Sequence, residues 1–221
     1  MNNRSHRTFQ PEKTCYTAQR AEIVQLIPQE AKRILDIGCG RGYLGQTLKA
    51  ARSVEIVGVE INPSMAEEAS SYLDQVFTAD VETFALPYPP EAFDCIIMAD
   101  ILEHLVDPWQ TLARYVPFLS PDGVLVLSLP NVQHYRVIGH LILGEWEYQE
   151  SGILDSGHLR FFTLKSLRTL LKSANLEPFR IERIYRARPI ARLINRLCFN
   201  RLEMFLAQQY VALARKVHEL K

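Results

Sequence analysis

The segment Ile34-Leu-Asp-Ile-Gly-Cys-Gly-Arg-Gly-Tyr-Leu-Gly45 constrains this chain more than any other. A short apolar run leads into Gly38, Gly40 and Gly42, and a helix-compatible stretch follows. A strand ending in closely spaced glycines lets backbone approach a bound nucleotide, and the helix start beyond it offers unpaired N–H groups. Asp36 sharpens the reading. A dinucleotide would bring its pyrophosphate near this carboxylate, and like charges in a partly dry cleft repel. The pattern therefore suits a nucleoside ligand that carries an ammonium and a sulfonium, and it disfavours a nicotinamide carrier.

Beyond Tyr16, apolar runs alternate with periodic segments, the pattern of a sheet with crossover helices. Tyr16 to Ile27 reads as a first helix, Arg33 to Ile37 as a buried strand and Tyr43 to Ala51 as the helix after the glycine turn. Val54 to Val59 is the second strand, and Ser64 with Glu67 has capping-box spacing for the next helix. Gln75–Ala79, Phe93–Ala99 and Gly123–Leu129 read as strands three to five. From Pro130 to Thr163 the pattern turns irregular but stays rich in aromatic residues, which marks a functional insertion rather than disorder. Leu164 to Ala174 returns to helix and Phe179 to Tyr185 to strand. Pro189 to Phe205 is in helical register, and Tyr210 to Lys216 permits either a last strand or a helix.

Leu35-Asp-Ile-Gly-Cys-Gly-Arg-Gly42 resembles the first signature of the class I S-adenosylmethionine-dependent methyltransferases. The resemblance runs from about residue 16 to 216. It implies an α/β, Rossmann-like fold: a mostly parallel seven-stranded sheet with an antiparallel final strand and helices on both faces. Residues 1–15 are then expected to be a flexible tail, and 16–221 one methyltransferase domain whose 130–163 insertion covers the substrate. S-adenosylmethionine is the implied cofactor. Glu60, roughly twenty residues past the glycine turn, stands where open sheets place an acid against ribose hydroxyls. The resemblance assigns it that task with Ile61 beside it, gives adenine to Asp80 and the backbone N–H of Val81, and places Met98 and Ala99 below the sulfonium and methionine portion.

Methyl transfer from a sulfonium is an in-line displacement, so the protein mainly aligns the acceptor and handles its proton. Asp100-Ile-Leu-Glu-His104 directly follows the fourth strand; at helical spacing Asp100, Glu103 and His104 would share one face. His158 is available in Leu154-Asp-Ser-Gly-His-Leu-Arg-Phe-Phe-Thr163. This element is similar to ubiquinone-biosynthesis O-methyltransferases and to small-RNA 2′-O-methyltransferases, where a metal activates the acceptor hydroxyl. The resemblance would place Asp100, Glu103, His104 and His158 around Mg²⁺ or a related divalent ion. Without a metal, His158 leads as general base, with His104 and His134 as further candidates. Leu-Glu-His-Leu also occurs in methyltransferases with no metal, so both routes stay open.

The 130–163 stretch also resembles bacterial methyltransferases associated with cell-surface polysaccharide synthesis, which implies a small-molecule or glycan hydroxyl as acceptor. Tyr135, Trp146, Tyr148 and Phe161 could wall it. The 25 basic and 25 acidic residues balance, so global charge makes no case for nucleic acid. RNA or another macromolecule is the alternative acceptor, and a cofactor-binding protein without turnover a further one. Between Arg180 and Arg201, arginines 183, 186, 188, 192 and 196 stand against the lone acid Glu182. That stretch is read as a solvated helix face or a dimer contact, with an anionic membrane surface, a phosphate-bearing carrier or RNA as the functional options. Cys15, Cys39, Cys95 and Cys198 lack metal-type spacing and read as reduced structural thiols. No stretch approaches the ~20 apolar residues that span a bilayer, and Met1 to Thr14 lacks a signal-peptide core. A cytoplasmic protein is the expectation.

Overall fold

A computed structural model describes residues 21–185, 195–196, 199 and 201–217. The element order is α1 (Ala21–Val24), β1 (Arg33–Ile37), α2 (Tyr43–Ala51), β2 (Glu55–Glu60), α3 (Pro63–Ala69), β3 (Gln75–Thr78) and β4 (Phe93–Ala99). It continues with α4 (Pro108–Tyr115), β5 (Leu119–Pro130), α5 (Tyr135–Ile142), α6 (Leu164–Ser173), β6 (Leu176–Ile184), α7 (Glu203–Leu206) and β7 (Gln209–Lys216). Seven strands form one sheet in the order β3-β2-β1-β4-β5-β7-β6. Pairing is parallel from β3 to β5, and β7 runs antiparallel to both β5 and β6. The expected mostly parallel sheet with an antiparallel last strand is what the chain forms.

The strands β1, β2 and β4 read as near-continuous apolar runs because both faces of the sheet are covered. Alternate residues enter different cores. Leu35, Ile37, Val57, Val59 and Leu127 pack with Leu112 of α4 and Leu167, Leu170 and Leu171 of α6. Ile34, Ile56, Cys95, Ile97 and Val126 pack with Leu44 and Leu48 of α2. Sequence order reverses between β1 and β4, and ligands of open α/β sheets bind outside the carboxyl ends of strands at such a switch point. The segments after β1, β2 and β4 therefore frame the site.

Several local expectations are corrected. The cap of α3 is Asn62, whose side chain accepts from the Met65 backbone N–H at 3.1 Å, with Pro63 in the first turn; Ser64 lies inside the helix. Asn-Pro wins because proline has no N–H to satisfy and its φ is preset for a helix start. The 210–216 segment is strand, since β7 pairs on both sides and Tyr210 to Ala214 are buried. The 130–163 stretch is more ordered than its pattern suggests: it holds α5 and two bridges, Asn131 to Phe162 and Gln149 to Asp155. Pro108–Tyr115 is a helix the periodicity did not declare, capped by Asp107 onto the Gln110 N–H. The tail 1–15, the first residues of the expected Tyr16–Ile27 helix, and Arg186, Arg188 and Arg192 lie outside the described residues. Among the described residues no helix is long and apolar enough to cross a membrane.

Helix α6 follows the 130–163 segment and is held by a reciprocal cap. Thr163 Oγ1 accepts from the Ser166 N–H at 3.2 Å, and Ser166 Oγ accepts from the Thr163 N–H at 2.8 Å. Thr163→Ala removes half of that box and is expected to destabilise the fold by about 1 kcal/mol. A melting temperature lowered by roughly 2 to 4 °C checks it.

Candidate active site

The glycine turn departs from strand β1 with Gly38, Gly40 and Gly42 all at positive φ. Gly42 is wedged: a Cβ there would sit 3.0 Å from the Ala69 Cα and 3.1 Å from its Cβ. Gly40 differs. A Cβ there would meet nothing within 4 Å, so the middle of the turn faces open space where a ligand can approach the backbone. Asp36 is only 3% exposed, its Cα in register with Gly58 and Ile97. Its charge, with that of Glu60, adds to burial in pushing the Cys39 thiol upward. Cys39 and Cys95 are free and buried, as expected of structural thiols.

Glu60 lies at the end of β2 and is 6% exposed. Its Oε2 accepts from the Gly40 N–H and its Oε1 from the Asn62 N–H, both at 2.9 Å. One carboxylate thus ties the glycine turn to the start of α3. Two oxygens offer about four lone-pair sites, so capacity remains for a ribose diol. Burial raises the pKa of Glu60 above the usual carboxylate range, and the Asn62, Gly40 and Ile61 N–H groups work against that rise. Beside it, Ile61 is 58% exposed, an apolar side chain left where a planar base could lie. Asp80 opens a turn, its Oδ1 accepting from the Glu82 N–H at 2.9 Å, and Val81 is buried. Met98 corrects an expectation. It is fully buried in the core with Leu35 and Ile37, so its side chain packs the sheet.

The segment after β4 does not continue as an α-helix. Asp100 takes φ 52°, a left-handed conformation, and a single 3-10 turn spans Leu102–His104. The helical spacing that would put Asp100, Glu103 and His104 on one face is therefore lost. Asp100 Oδ1 instead accepts from Ser128 Oγ at 2.6 Å and Gln209 Nε2 at 2.5 Å, bonds across the ends of β4, β5 and β7. Glu103, His104 and His158 do converge: one ligand atom from each lies within 4.8 Å of the others. Asp100 does not belong to that group, a correction to the four-residue set.

Residues 153–162 form a strap over this group. The Glu103 carbonyl accepts from the Leu159 and Arg160 N–H groups at 2.8 and 3.0 Å, and Arg160 reaches the Val106 carbonyl. His104 Nδ1 meets the Gly157 carbonyl at 3.1 Å, and His158 Nδ1 the Ile153 carbonyl at 2.9 Å. A carbonyl only accepts, so both rings donate through Nδ1. Their ring centroids are 4.7 Å apart, edge to face. His134 is the opposite tautomer. It caps α5, its Nδ1 accepting from the Arg136 N–H at 3.4 Å, so its proton belongs on Nε2. Burial, then the Arg136 charge, lowers its pKa and keeps it neutral. His134 is thus arranged to donate, whereas a base must accept.

Of the expected aromatic wall, Trp146 and Phe161 pack edge to face at 5.3 Å, and Phe161 lies 6.3 Å from His158. Tyr148 is 56% exposed. Residues the sequence did not single out complete the frame. Glu82 accepts from the Val106 and Asp107 N–H groups, and Gln209 arrives from the last strand. Asp-x-Glu at 80–82 was a readable signal for the first; nothing local announces the second.

A family model described as a methyltransferase domain matches residues 10–180. The ubiquinone biosynthesis O-methyltransferase of Cereibacter sphaeroides strain KD131 is 28% identical over 158 residues, 69% of this chain and 63% of that protein. The 27-O-demethylrifamycin SV methyltransferase of Amycolatopsis mediterranei is 32% identical over 116 residues, 48% of this chain and 42% of that protein. This chain thus spans less than two thirds of the length of either relative. A crystal structure of a methyltransferase dependent on S-adenosylmethionine, from Archaeoglobus fulgidus, superposes with TM-score 0.69 at 21% identity, covering 90% of this chain and 95% of that one. The family model covers well over half of the sequence, so the chain belongs to the methyltransferase-domain family, and it has the fold of a methyltransferase dependent on S-adenosylmethionine.

Proposed function

We propose that this methyltransferase acts on a hydroxyl of a small molecule or glycan, with His158 as the group that takes the acceptor proton. The observation that supports this reading is the convergence of Glu103, His104 and His158, with each imidazole oriented by a backbone carbonyl at Nδ1. In the step, the acceptor oxygen forms a bond to the methyl carbon while the carbon–sulfur bond breaks. The hydroxyl proton passes to Nε2, so the positive charge of the sulfonium ends on an imidazolium next to a carboxylate. S-adenosylhomocysteine leaves neutral at sulfur. Asp36, Gly38, Gly40, Gly42, Glu60, Ile61, Asp80, Val81 and the backbone of 98–99 frame the cofactor in this reading.

The same three residues fit a divalent ion. Each imidazole is oriented by a carbonyl at its other nitrogen, the usual arrangement around a ligating histidine. Two imidazoles and one carboxylate match a borderline ion such as Zn²⁺, Mn²⁺ or Fe²⁺ better than Mg²⁺, which prefers oxygen donors. When bound, such an ion would supply Lewis acidity that lowers the acceptor hydroxyl pKa. RNA is the weaker acceptor reading, because Arg180 and Arg183 of the basic stretch pair with Glu182 and Glu203.

The test is radiolabelled methyl transfer to fractionated bacterial extract, run with His158→Gln. Transfer is expected to fall about 100-fold or more, the range of general acid–base catalysis. Calorimetric affinity for S-adenosylmethionine should stay within about twofold, since His158 lies on the strap rather than the glycine turn. Undiminished transfer would remove His158 from the reaction. Elemental analysis of wild type and His104→Ala decides the metal: equal content in both ends that part.

A further inference from the structure

A cavity of about 340 Å³ lies between the first turn of α5 and the 149–154 segment, lined among others by His134, Tyr135, Arg136, Val137, Gln149 and Gln208. None of its lining residues is acidic. The first turn of an α-helix presents unsatisfied N–H groups and the positive end of its dipole, and the lining residues 135–137 are that turn of α5. His134 is 94% buried by its 6% exposure, lines the cavity, and uses only Nδ1 for the cap. No hydrogen bond reaches its Nε2 among the described residues, which leaves that donor open to the cavity it lines. The Arg136 side chain is exposed, its guanidinium has no carboxylate within 4 Å among the described residues, and it lies 6.0 Å from the Tyr135 ring. The rim residue His140 pairs with Glu145 at 2.7 Å, which engages the acid nearest in sequence.

An exposed arginine, an imidazole donor, a helix start and two side-chain amides therefore line one space with no acidic residue in its walls. We infer that this cavity is a subsite for an oxyanion, a phosphate or carboxylate carried by the methyl acceptor. It rests on the methyltransferase reading for its role and connects to it through the strap: Ile153 lines the cavity and its carbonyl holds His158 Nδ1. An acceptor anchored here by its charged group lies behind the same backbone that orients the candidate base. Buried donors that expect an oxyanion reject neutral analogues, because such analogues leave them unpaired.

The experiment is calorimetric titration of the intact protein with inorganic phosphate and, separately, with malonate. Saturable binding of either supports the subsite, and the tighter one identifies the oxyanion source. Arg136→Gln is expected to weaken it at least tenfold, Arg136→Lys to retain most of it, and Arg168→Gln on the exposed face of α6 to leave it unchanged. No saturable binding of either ion, or an equal loss in Arg168→Gln, overturns the proposal. Titration with S-adenosylmethionine on the same samples separates the two readings, since its failure would strike the cofactor assignment alone. Methyl label recovered from extract should be retained on an anion exchanger; label confined to neutral fractions would overturn the link to the acceptor.

Discussion

A Glu60→Ala protein is expected to bind S-adenosylmethionine about 100- to 1,000-fold more weakly than the wild type while remaining folded. The carboxylate oxygens hold the Gly40 and Asn62 N–H groups, and in the proposed reading their remaining lone pairs take a ribose diol. A hydrogen bond to a charged group contributes about 1.5 to 3 kcal/mol, and the ligand would lose two of them together with the shape of the turn. Stability should change less. Burial raises the folded-state pKa of Glu60 above its unfolded value. The stability this group adds is then fully present below the unfolded pKa and is lost as pH rises through the folded one. At neutral pH its ionisation is a cost to the empty protein, which offsets part of what the lost hydrogen bonds contributed. The same sign predicts a pH effect on binding: affinity for the cofactor should fall as pH is lowered through a pKa above the ordinary carboxylate range, and Glu60→Ala should abolish that dependence. Calorimetry across pH reads both. Wild-type affinity in the Ala variant would mean the diol is held elsewhere.

The second large effect belongs to Gly42, and it should appear in stability. Alanine at φ 78° costs about 1 to 2 kcal/mol from backbone strain alone. Its Cβ would also press against the Cα and Cβ of Ala69 at 3.0 and 3.1 Å, atoms of α3 that cannot swing aside. The sum, about 2 to 4 kcal/mol, should lower the melting temperature by roughly 5 to 15 °C. Gly40→Ala is the informative partner. Its φ of 55° carries a similar strain, but its Cβ enters open space, so its added penalty should fall on cofactor affinity. If both variants lose stability and binding in equal proportion, the turn has one role where two are assigned.

The glycine turn and its flanking strands were legible because their code is local. A strand, a glycine turn and an acid at the next strand end occupy positions fixed by the period of the sheet, so Asp36, Gly38, Gly40, Gly42 and Glu60 could be named from spacing. Met98 was misjudged for a related reason: spacing places a residue at a strand end but does not say which face its side chain takes, and here it is the core face. Asp100 shows the limit of helical spacing. Residues at i, i+3 and i+4 meet only if the segment is an α-helix, and a left-handed residue followed by one 3-10 turn sends the first carboxylate to another strand.

What the sequence determined by itself is the class of fold, since it follows from hydrophobic alternation and a short run of glycines beside an acid. What only the tertiary structure decided is which residues of the segments after β4 and before α6 meet. His104 meets Gly157 across 53 residues, and Gln209 reaches Asp100 across 109. Which ring nitrogen donates depends on which carbonyl the strap presents to it. That choice is made when the chain closes on itself, because a histidine's neighbours in sequence do not set its neighbours in space.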